Sequence, residues 1–165
     1  MELKKTEVQV ELAQYNPVYD DQLAAFHLNE EQHQFTSMPL EKLNHPKLSA
    51  NAKHIVILDN RIPVGYFALE EGEKLAKYSQ NQRAILLTSF SINSKYQGKG
   101  IAKAALKLLP GFITGILPDV NEVVLGVNKR NGPAINLYKK LGFVDHNEIY
   151  IGPKGPQHIL HLKLC

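Results

Sequence analysis

The chain has 165 residues, of which 44% are hydrophobic and 21% are charged, as is ordinary for a folded globular protein. Its formal net charge of +3 is too small to indicate a nucleic-acid or membrane partner by itself. No apolar run approaches the roughly 18 residues of a membrane-spanning helix. The first nine residues are too charged for a secretory signal, and the single cysteine cannot form an internal disulfide. We therefore expect one cytoplasmic domain over residues 1–165, without nucleic-acid or membrane partners.

The first half of the chain predicts short strands and helices, because apolar residues alternate in some segments and recur at helical spacing in others. A turn-rich segment joins the last two strands of this half, which indicates a hairpin. The predicted elements are, in order, a strand through Val8, Val10 and Leu12, a helix over Asp20–Leu28, a short helix beginning near Pro39, and strands over His54–Leu58 and Val64–Leu69.

The most informative segment is an apolar strand, Ala84–Ile92, that turns into a helical segment, Lys103–Leu109, through a join with two glycines. A helix that begins at such a join has unpaired backbone N–H groups, and the helix dipole adds partial positive charge there. Gly98 and Gly100 remove side chains that would keep a phosphate from the main chain, and Lys99 adds a nearby charge. The join therefore predicts an anion site, most naturally for phosphate.

The last part of the chain predicts a helix after Lys103 that meets Pro110, a strand, a second helix and two antiparallel strands. Proline removes a backbone donor, so we expect the first helix to kink or to end near Leu109. Asn131 can cap the second helix and Gly142 can end it. The strands are predicted at Val123–Val127, Val144–Ile151 and His158–Leu164.

Nucleotide-binding motifs do not fit the glycine-containing join. Lys99 is followed by Gly100 rather than by serine or threonine, and Lys103 stands where a dinucleotide fingerprint needs glycine. The string from Gln97 to Ala102 instead matches Gln/Arg-x-x-Gly-x-Gly/Ala, which resembles the pyrophosphate-binding loop of the GNAT N-acetyltransferase superfamily. Asn131–Phe143 matches Asn-x-x-Ala-x-x-x-Tyr-x-x-x-Gly-Phe, which resembles the second acetyl-CoA motif of that family. Both motifs occur in the family's order.

The resemblance implies the α+β fold of this family, with a mixed, mostly antiparallel sheet of about seven strands and about four helices. In that fold two central parallel strands splay apart and admit the pantetheine arm of coenzyme A. Here the two strands would be Ala84–Ile92 and Glu122–Val127. Backbone groups of Phe90, Ser91 and Ile92 would then be free to pair with pantetheine amides, much as an exposed strand edge accepts a peptide.

The resemblance also implies an enzyme that moves the acetyl group of acetyl-CoA to a primary amine by direct attack in a ternary complex, without a metal. Tyr138 matches the position that commonly donates a proton to the departing thiolate, and Asn131 matches one that commonly hydrogen-bonds the cofactor. The implied pyrophosphate site consists of Gln97, Gly98, Lys99, Gly100, Ile101 and Ala102.

The general base stays open at this stage. Some family members have a glutamate on the central strand, but Ile85–Ile92 contains no acid. The amine can lose its proton to solvent, so a dedicated base is not required. The other candidates are Glu70, Glu71, His27, His33, Glu31 and a chain of water molecules.

Two other functional classes compete with the enzyme. One is a catalytically inactive acyl-CoA sensor or regulatory module. The other is a nucleic-acid binder that uses Lys99, Lys103 and Lys107, although no aromatic platform accompanies this stripe, which favours a solvated helix face. The acceptor can be a small-molecule or a protein amine, and the acidity of Glu70–Glu73 only hints at a cationic acceptor such as a polyamine. A monomer and a homodimer both remain possible.

Overall fold

The computed structural model describes residues 9–28, 38–44 and 52–164. In these ranges it contains seven strands and five α-helices. The strands are β1 (Val10–Gln14), β2 (Ala52–Asp59), β3 (Ile62–Glu70), β4 (Ala84–Ile92), β5 (Glu122–Asn128), β6 (Val144–Gly152) and β7 (Gly155–Lys163). The helices are α1 (Asp20–Ala24), α2 (Pro39–Asn44), α3 (Glu73–Ala76), α4 (Ile101–Ile116) and α5 (Gly132–Lys140).

All seven strands form one sheet in the order β1-β2-β3-β4-β5-β7-β6. The order follows the chain as far as β5, and the last hairpin then places β7 beside β5 and leaves β6 at the edge. Only β4 and β5 run parallel, because the long helix α4 connects them, and every other pair is antiparallel. This arrangement confirms the predicted α+β class and the mixed, mostly antiparallel sheet.

The parallel pair separates after four residues. Its register runs from Ala84 opposite Glu122 to Leu87 opposite Leu125, and pairing between the two strands stops there. Beyond this point β5 still pairs with β7, and the end of β4 still pairs with β3. The splayed parallel pair that the sequence predicted is therefore present at the centre of the sheet.

The two faces of the sheet carry different helices. Alternating strand residues point to opposite faces, so neighbours in sequence belong to different cores. Leu87 and Leu125 join the larger core with α4 and α5, whereas Leu86 and Val124 pack with Leu75 of α3. A third cluster holds α1 against β2 on the side away from α4. The face that carries α4 and α5 is called here the α5 face, and the opposite one the α3 face.

The largest differences from the predictions concern the helices. Helix α4 runs through Pro110 to Ile116, so of the two expected alternatives, a kink or an end near Leu109, the end is excluded. Proline removes only the N–H that would reach the Leu106 carbonyl, and the buried apolar side of the helix continues on both sides of it. Helix α1 ends at Ala24, four residues early, and α3 lies in a stretch that was too polar to predict a helix.

Candidate active site

A cleft of about 850 Å³ occupies the gap between β4 and β5. Its volume is in the range of sites that bind a cofactor or a small ligand. The wall consists of the splayed strand segments, the start of α4, one side of α5, and parts of α3 and of the last hairpin. These contributions include Leu86–Ile92, Leu125–Asn128, Gln97, Gly98, Gly100, Ile101, Ala102, Asn131, Tyr138, Lys74, Lys77, Tyr78, Tyr150 and Gln157.

The glycine-containing loop leaves its main chain open toward the cleft. Gly98 and Gly100 have φ values of +76° and +79°, a region that glycine adopts without strain, and no atom lies within 4 Å of where a Cβ would stand. Gly100 is the cap of α4, so the first N–H groups of a 16-residue helix follow it. The side-chain amide of Gln97 donates a hydrogen bond from Nε2 to the Ile92 carbonyl over 2.9 Å, which ties the loop to the end of β4.

Lys99 differs from the other loop residues. Its ammonium lies over the Tyr96 ring, 5.4 Å from the ring centroid, and its side chain is not part of the cleft wall that the described residues form. The loop therefore lines the cleft mainly with its main chain, and Lys99 can contribute to anion binding only from the rim of the cleft.

The segment of β4 that no longer pairs with β5 contains a bulge in its pairing with β3. Tyr66 of β3 pairs with Ser91 and Ala68 pairs with Thr88, so two residues of β4 oppose Phe67, and Ser89 adopts a φ of +57°. The extra residue reverses the alternation of side chains beyond it. Phe90 consequently returns to the α5 face and Ser91 to the α3 face. All three predicted edge residues, Phe90, Ser91 and Ile92, line the cleft.

The Ser91 side chain is the second feature of this strand segment. Its hydroxyl is buried, and it has no hydrogen-bond partner among the residues that the structure describes. A buried hydroxyl without a partner costs free energy, so a ligand that supplied one would gain by it.

Tyr138 lies in the wall of the cleft on the α5 face. Its ring packs edge-on against Phe90, with centroids 6.3 Å apart, and against Phe143 at 5.4 Å. Burial raises the pKa of the phenol well above its usual value, so the hydroxyl is protonated at neutral pH. Asn131 caps α5 by accepting a hydrogen bond from the Ala134 amide, 3.4 Å away, and also lines the cleft.

The glycine-containing loop, the edge of β4, Asn131 and Tyr138 all line one cleft. The likeness of this chain to known proteins extends beyond these motifs to most of its length. Residues 15–143 match the model of the acetyltransferase (GNAT) family. The chain belongs to this family. It is therefore an acyltransferase, and this membership does not favour the alternative of a non-catalytic sensor.

Relatives of known sequence support the same assignment. Bacillus subtilis (strain 168) has an uncharacterized N-acetyltransferase, YbbJ, that is 41% identical over 153 residues, covering 92% of this chain and 96% of YbbJ. The spermidine N(1)-acetyltransferase of Escherichia coli (strain K12) is 40% identical over 58 residues, which cover 35% of this chain and 31% of that enzyme.

Solved structures share the fold. The aminoglycoside acetyltransferase AAC(6')-Ib in complex with coenzyme A superposes with a TM-score of 0.75 at 16% identity, covering 94% of this chain and 95% of that one. Spermidine N-acetyltransferase from Vibrio cholerae in complex with coenzyme A and spermine gives a TM-score of 0.69 at 16% identity, covering 94% and 96%.

On the α3 face of this acetyltransferase, the cleft has a wall that sequence reasoning missed. The Tyr78 hydroxyl donates a hydrogen bond to Gln157 Oε1 over 3.0 Å, and the Tyr78 and Tyr150 rings lie 4.6 Å apart. Gly126 of β5 makes this possible, since a Cβ there would stand 2.1 Å from Gln157 Oε1 and 2.6 Å from the Tyr78 ring. The glycine within a strand was the one signal of this close approach.

Glu70 is engaged in an ion network and is not an open general base. One oxygen, Oε2, accepts from Thr88 Oγ1 at 2.5 Å and from Lys42 Nζ at 3.0 Å, and Lys74 Nζ lies 3.2 Å away. Burial favours the neutral acid, but the Thr88 hydrogen bond and the two ammonium groups outweigh it, so the pKa of Glu70 is lowered. A carboxylate so held is a weak proton acceptor.

Two of the other base candidates, Glu71 and His27, can be located in the structure. Glu71 is exposed and, like His27, lies outside the described wall of the cleft. Glu31 and His33 lie outside the described residues. Among the described residues that line the cleft there is no carboxylate, and Glu70–Glu73 are not part of its described wall.

Neither a metal-binding cluster nor a membrane-spanning helix is present in the described ranges. No three His, Cys, Asp or Glu side chains there lie close enough to hold a metal ion. None of the helices in the same ranges has the length and apolarity needed to cross a membrane.

Proposed function

We propose that this protein transfers the acetyl group of acetyl-CoA to a primary amine by direct attack in a ternary complex. The observation that carries the proposal is the splayed gap between β4 and β5, with an open main-chain anion site at one end and the Tyr138 phenol in its wall. A thioester placed in that gap would be accessible from the α3 face as well as from the α5 face.

The cofactor's diphosphate would bind the N–H groups from Gln97 to Ala102. Those groups lie at the start of α4, where the helix dipole favours an anion. The pantetheine arm would follow the free edge of β4 at Phe90, Ser91 and Ile92, and Asn131 would hydrogen-bond the cofactor from the other side. AAC(6')-Ib and the Vibrio cholerae enzyme were both solved with coenzyme A, which supports coenzyme A as the ligand of this fold.

In the transfer, the neutral amine attacks the thioester carbon, a C–N bond forms and the C–S bond breaks. Tyr138 gives its proton to the departing sulfur, and the surplus proton on nitrogen passes to solvent, from which the phenol is protonated again. A tyrosine phenol is already protonated at neutral pH, and burial raises its pKa further, so the proton that this role needs is present. Before the attack, the ammonium form of the amine can lose a proton to water, so the reaction requires no dedicated base.

The acceptor is proposed to be a small-molecule primary amine. Structural neighbours act on such molecules: one is an aminoglycoside acetyltransferase, and another was solved with spermine.

Two assays test the function. Calorimetric titration should show acetyl-CoA binding, and release of free thiol should depend on added amine, with the acetylated product identified by mass spectrometry. A chelator should leave the rate unchanged, since no step uses a metal. Binding of acetyl-CoA without thiol release across a broad amine panel would contradict the proposed function.

A further inference from the structure

Thr88 is the first residue of β4 beyond the last parallel pair, and it lines the cleft. It precedes the bulge at Ser89, whereas Phe90 follows it. Thr88 therefore stays on the α3 face with Leu86, while Phe90 packs against Tyr138 on the α5 face. The bulge thus places a hydroxyl and the proposed proton donor on opposite sides of the gap.

The hydrogen of this hydroxyl is already committed. Thr88 Oγ1 donates a hydrogen bond to Glu70 Oε2. This carboxylate oxygen also accepts a hydrogen bond from Lys42 of α2, and it forms a salt bridge with Lys74 of α3. The side chains of Glu70 and Lys42 are 7% and 2% exposed, so water does not compete for these contacts. Two ammonium groups keep the carboxylate ionised, and an ionised carboxylate only accepts hydrogen bonds.

A threonine hydroxyl has one hydrogen and two lone pairs. With its hydrogen on Glu70, the Thr88 oxygen can only accept a hydrogen bond from whatever enters the cleft. The entering group must then carry an N–H or O–H donor, and a primary amine does so. A carboxylate or phosphate oxygen at this position would meet lone pairs and be repelled.

We propose that Thr88 Oγ1 accepts a hydrogen bond from the attacking amine, and that Glu70 is a positioning residue that fixes this polarity. The inference rests on the proposed function. The amine would lie on the α3 face, with one N–H directed at Thr88 and its lone pair free to attack the thioester carbon. The sulfur would leave on the side of Tyr138.

The test compares Thr88→Val, which keeps the shape and removes the hydroxyl, with Thr88→Ser, which keeps the hydroxyl. Thr114→Val is the matched control, because Thr114 is exposed and donates to the Gly111 carbonyl within α4, outside the cleft wall. For each protein the amine kcat/KM, the acetyl-CoA Kd and the melting temperature are measured with a verified amine.

The valine variant should lose roughly tenfold in amine kcat/KM, mainly through a higher KM, because the amine N–H is left without a partner. Its acetyl-CoA Kd should be unchanged. Thr88→Ser should recover most of the loss, and Thr114→Val should match the wild type. If Thr88→Val does not fold, Thr88→Ala against Thr88→Ser gives the same comparison.

Wild-type kcat/KM for the amine in the valine variant would overturn the inference and leave the proposed function intact. So would an equal loss in Thr88→Ser, or a fall in acetyl-CoA affinity as large as that in kcat/KM. A wild-type protein that binds acetyl-CoA and acetylates no amine would overturn both.

Discussion

The two sides of the cleft are built in different ways. The side proposed to bind the cofactor, called here the cofactor side, consists of a loop and a helix start that are continuous in sequence, and it presents main-chain N–H groups. The side proposed to face the amine, called here the acceptor side, is assembled from side chains of α2, β3, α3 and β4, which meet only in the folded sheet. One side is open to an incoming anion, whereas the other is closed by an ion network that leaves one hydroxyl facing the cleft.

The difference shows how each side tolerates change. A main-chain site depends on backbone conformation and survives loss of most side chains, but it fails when a Cβ enters the wrong position. A buried side-chain network fails when any one charge loses its partner. Substitutions on the acceptor side should therefore act first on folding, and substitutions on the cofactor side first on affinity.

The largest effect is expected from Glu70→Gln. It leaves the buried Lys42 ammonium without its counter-charge, which should cost about 3–5 kcal/mol of unfolding free energy in denaturant titrations. Glu71→Gln, at the exposed neighbouring position, should change stability by less than about 0.5 kcal/mol. Equal stabilities of the two variants would show that the network does not support the acceptor side.

The same network predicts how stability depends on pH. The pKa of Glu70 is lower in the folded protein than its ordinary value of 4.5. The ionised Glu70 therefore makes its full contribution to the free energy of unfolding above its pKa in the unfolded chain. That contribution is lost as the pH falls from this pKa toward the lower pKa of the folded protein. Wild-type stability should decrease on acidification below about pH 4.5, and Glu70→Gln should show a shallower decrease. Parallel curves would contradict this assignment.

The second effect in size concerns Tyr138→Phe, which keeps the ring packing and removes the proton. We predict a fall in kcat of roughly tenfold to a thousandfold, with little change in acetyl-CoA affinity. Tyr19→Phe, outside the described cleft wall, is the control for loss of a tyrosine hydroxyl. Normal turnover in a folded Tyr138→Phe protein would remove the proton-donor role and leave the cofactor site standing.

The local structure of the loop side of the cleft could be predicted from the sequence, whereas the side-chain network on the other side could not. The loop from Gln97 to Ala102 and the cap at Asn131 are local, so their spacing reports their conformation. Nothing local tells that Lys42 meets Glu70 or that Tyr78 meets Gln157, because those contacts depend on strand register and on where α2 and α3 pack. The bulge at Ser89 has a serine rather than a glycine at the positive φ, so the sequence does not indicate it.

The smallest effect is predicted for Lys99→Ala. Its ammonium lies over Tyr96 at the rim, so the acetyl-CoA affinity should fall only about two- to fivefold, as for an exposed charge pair. Lys107→Ala, further along α4 and outside the described wall, should leave affinity unchanged. A loss well beyond tenfold in Lys99→Ala would mean that the side chain, and not the main chain, dominates anion binding.

The most direct test of the account is a calorimetric titration of acetyl-CoA into Gly98→Val, Gly100→Val and Gly72→Val. All three glycines have positive φ and open space around the missing Cβ, so each valine brings backbone strain, but Gly72 lies outside the described cleft wall. The account predicts that both loop variants lose acetyl-CoA binding while folded Gly72→Val binds like the wild type. Wild-type affinity in both loop variants would show that the diphosphate does not bind at this loop.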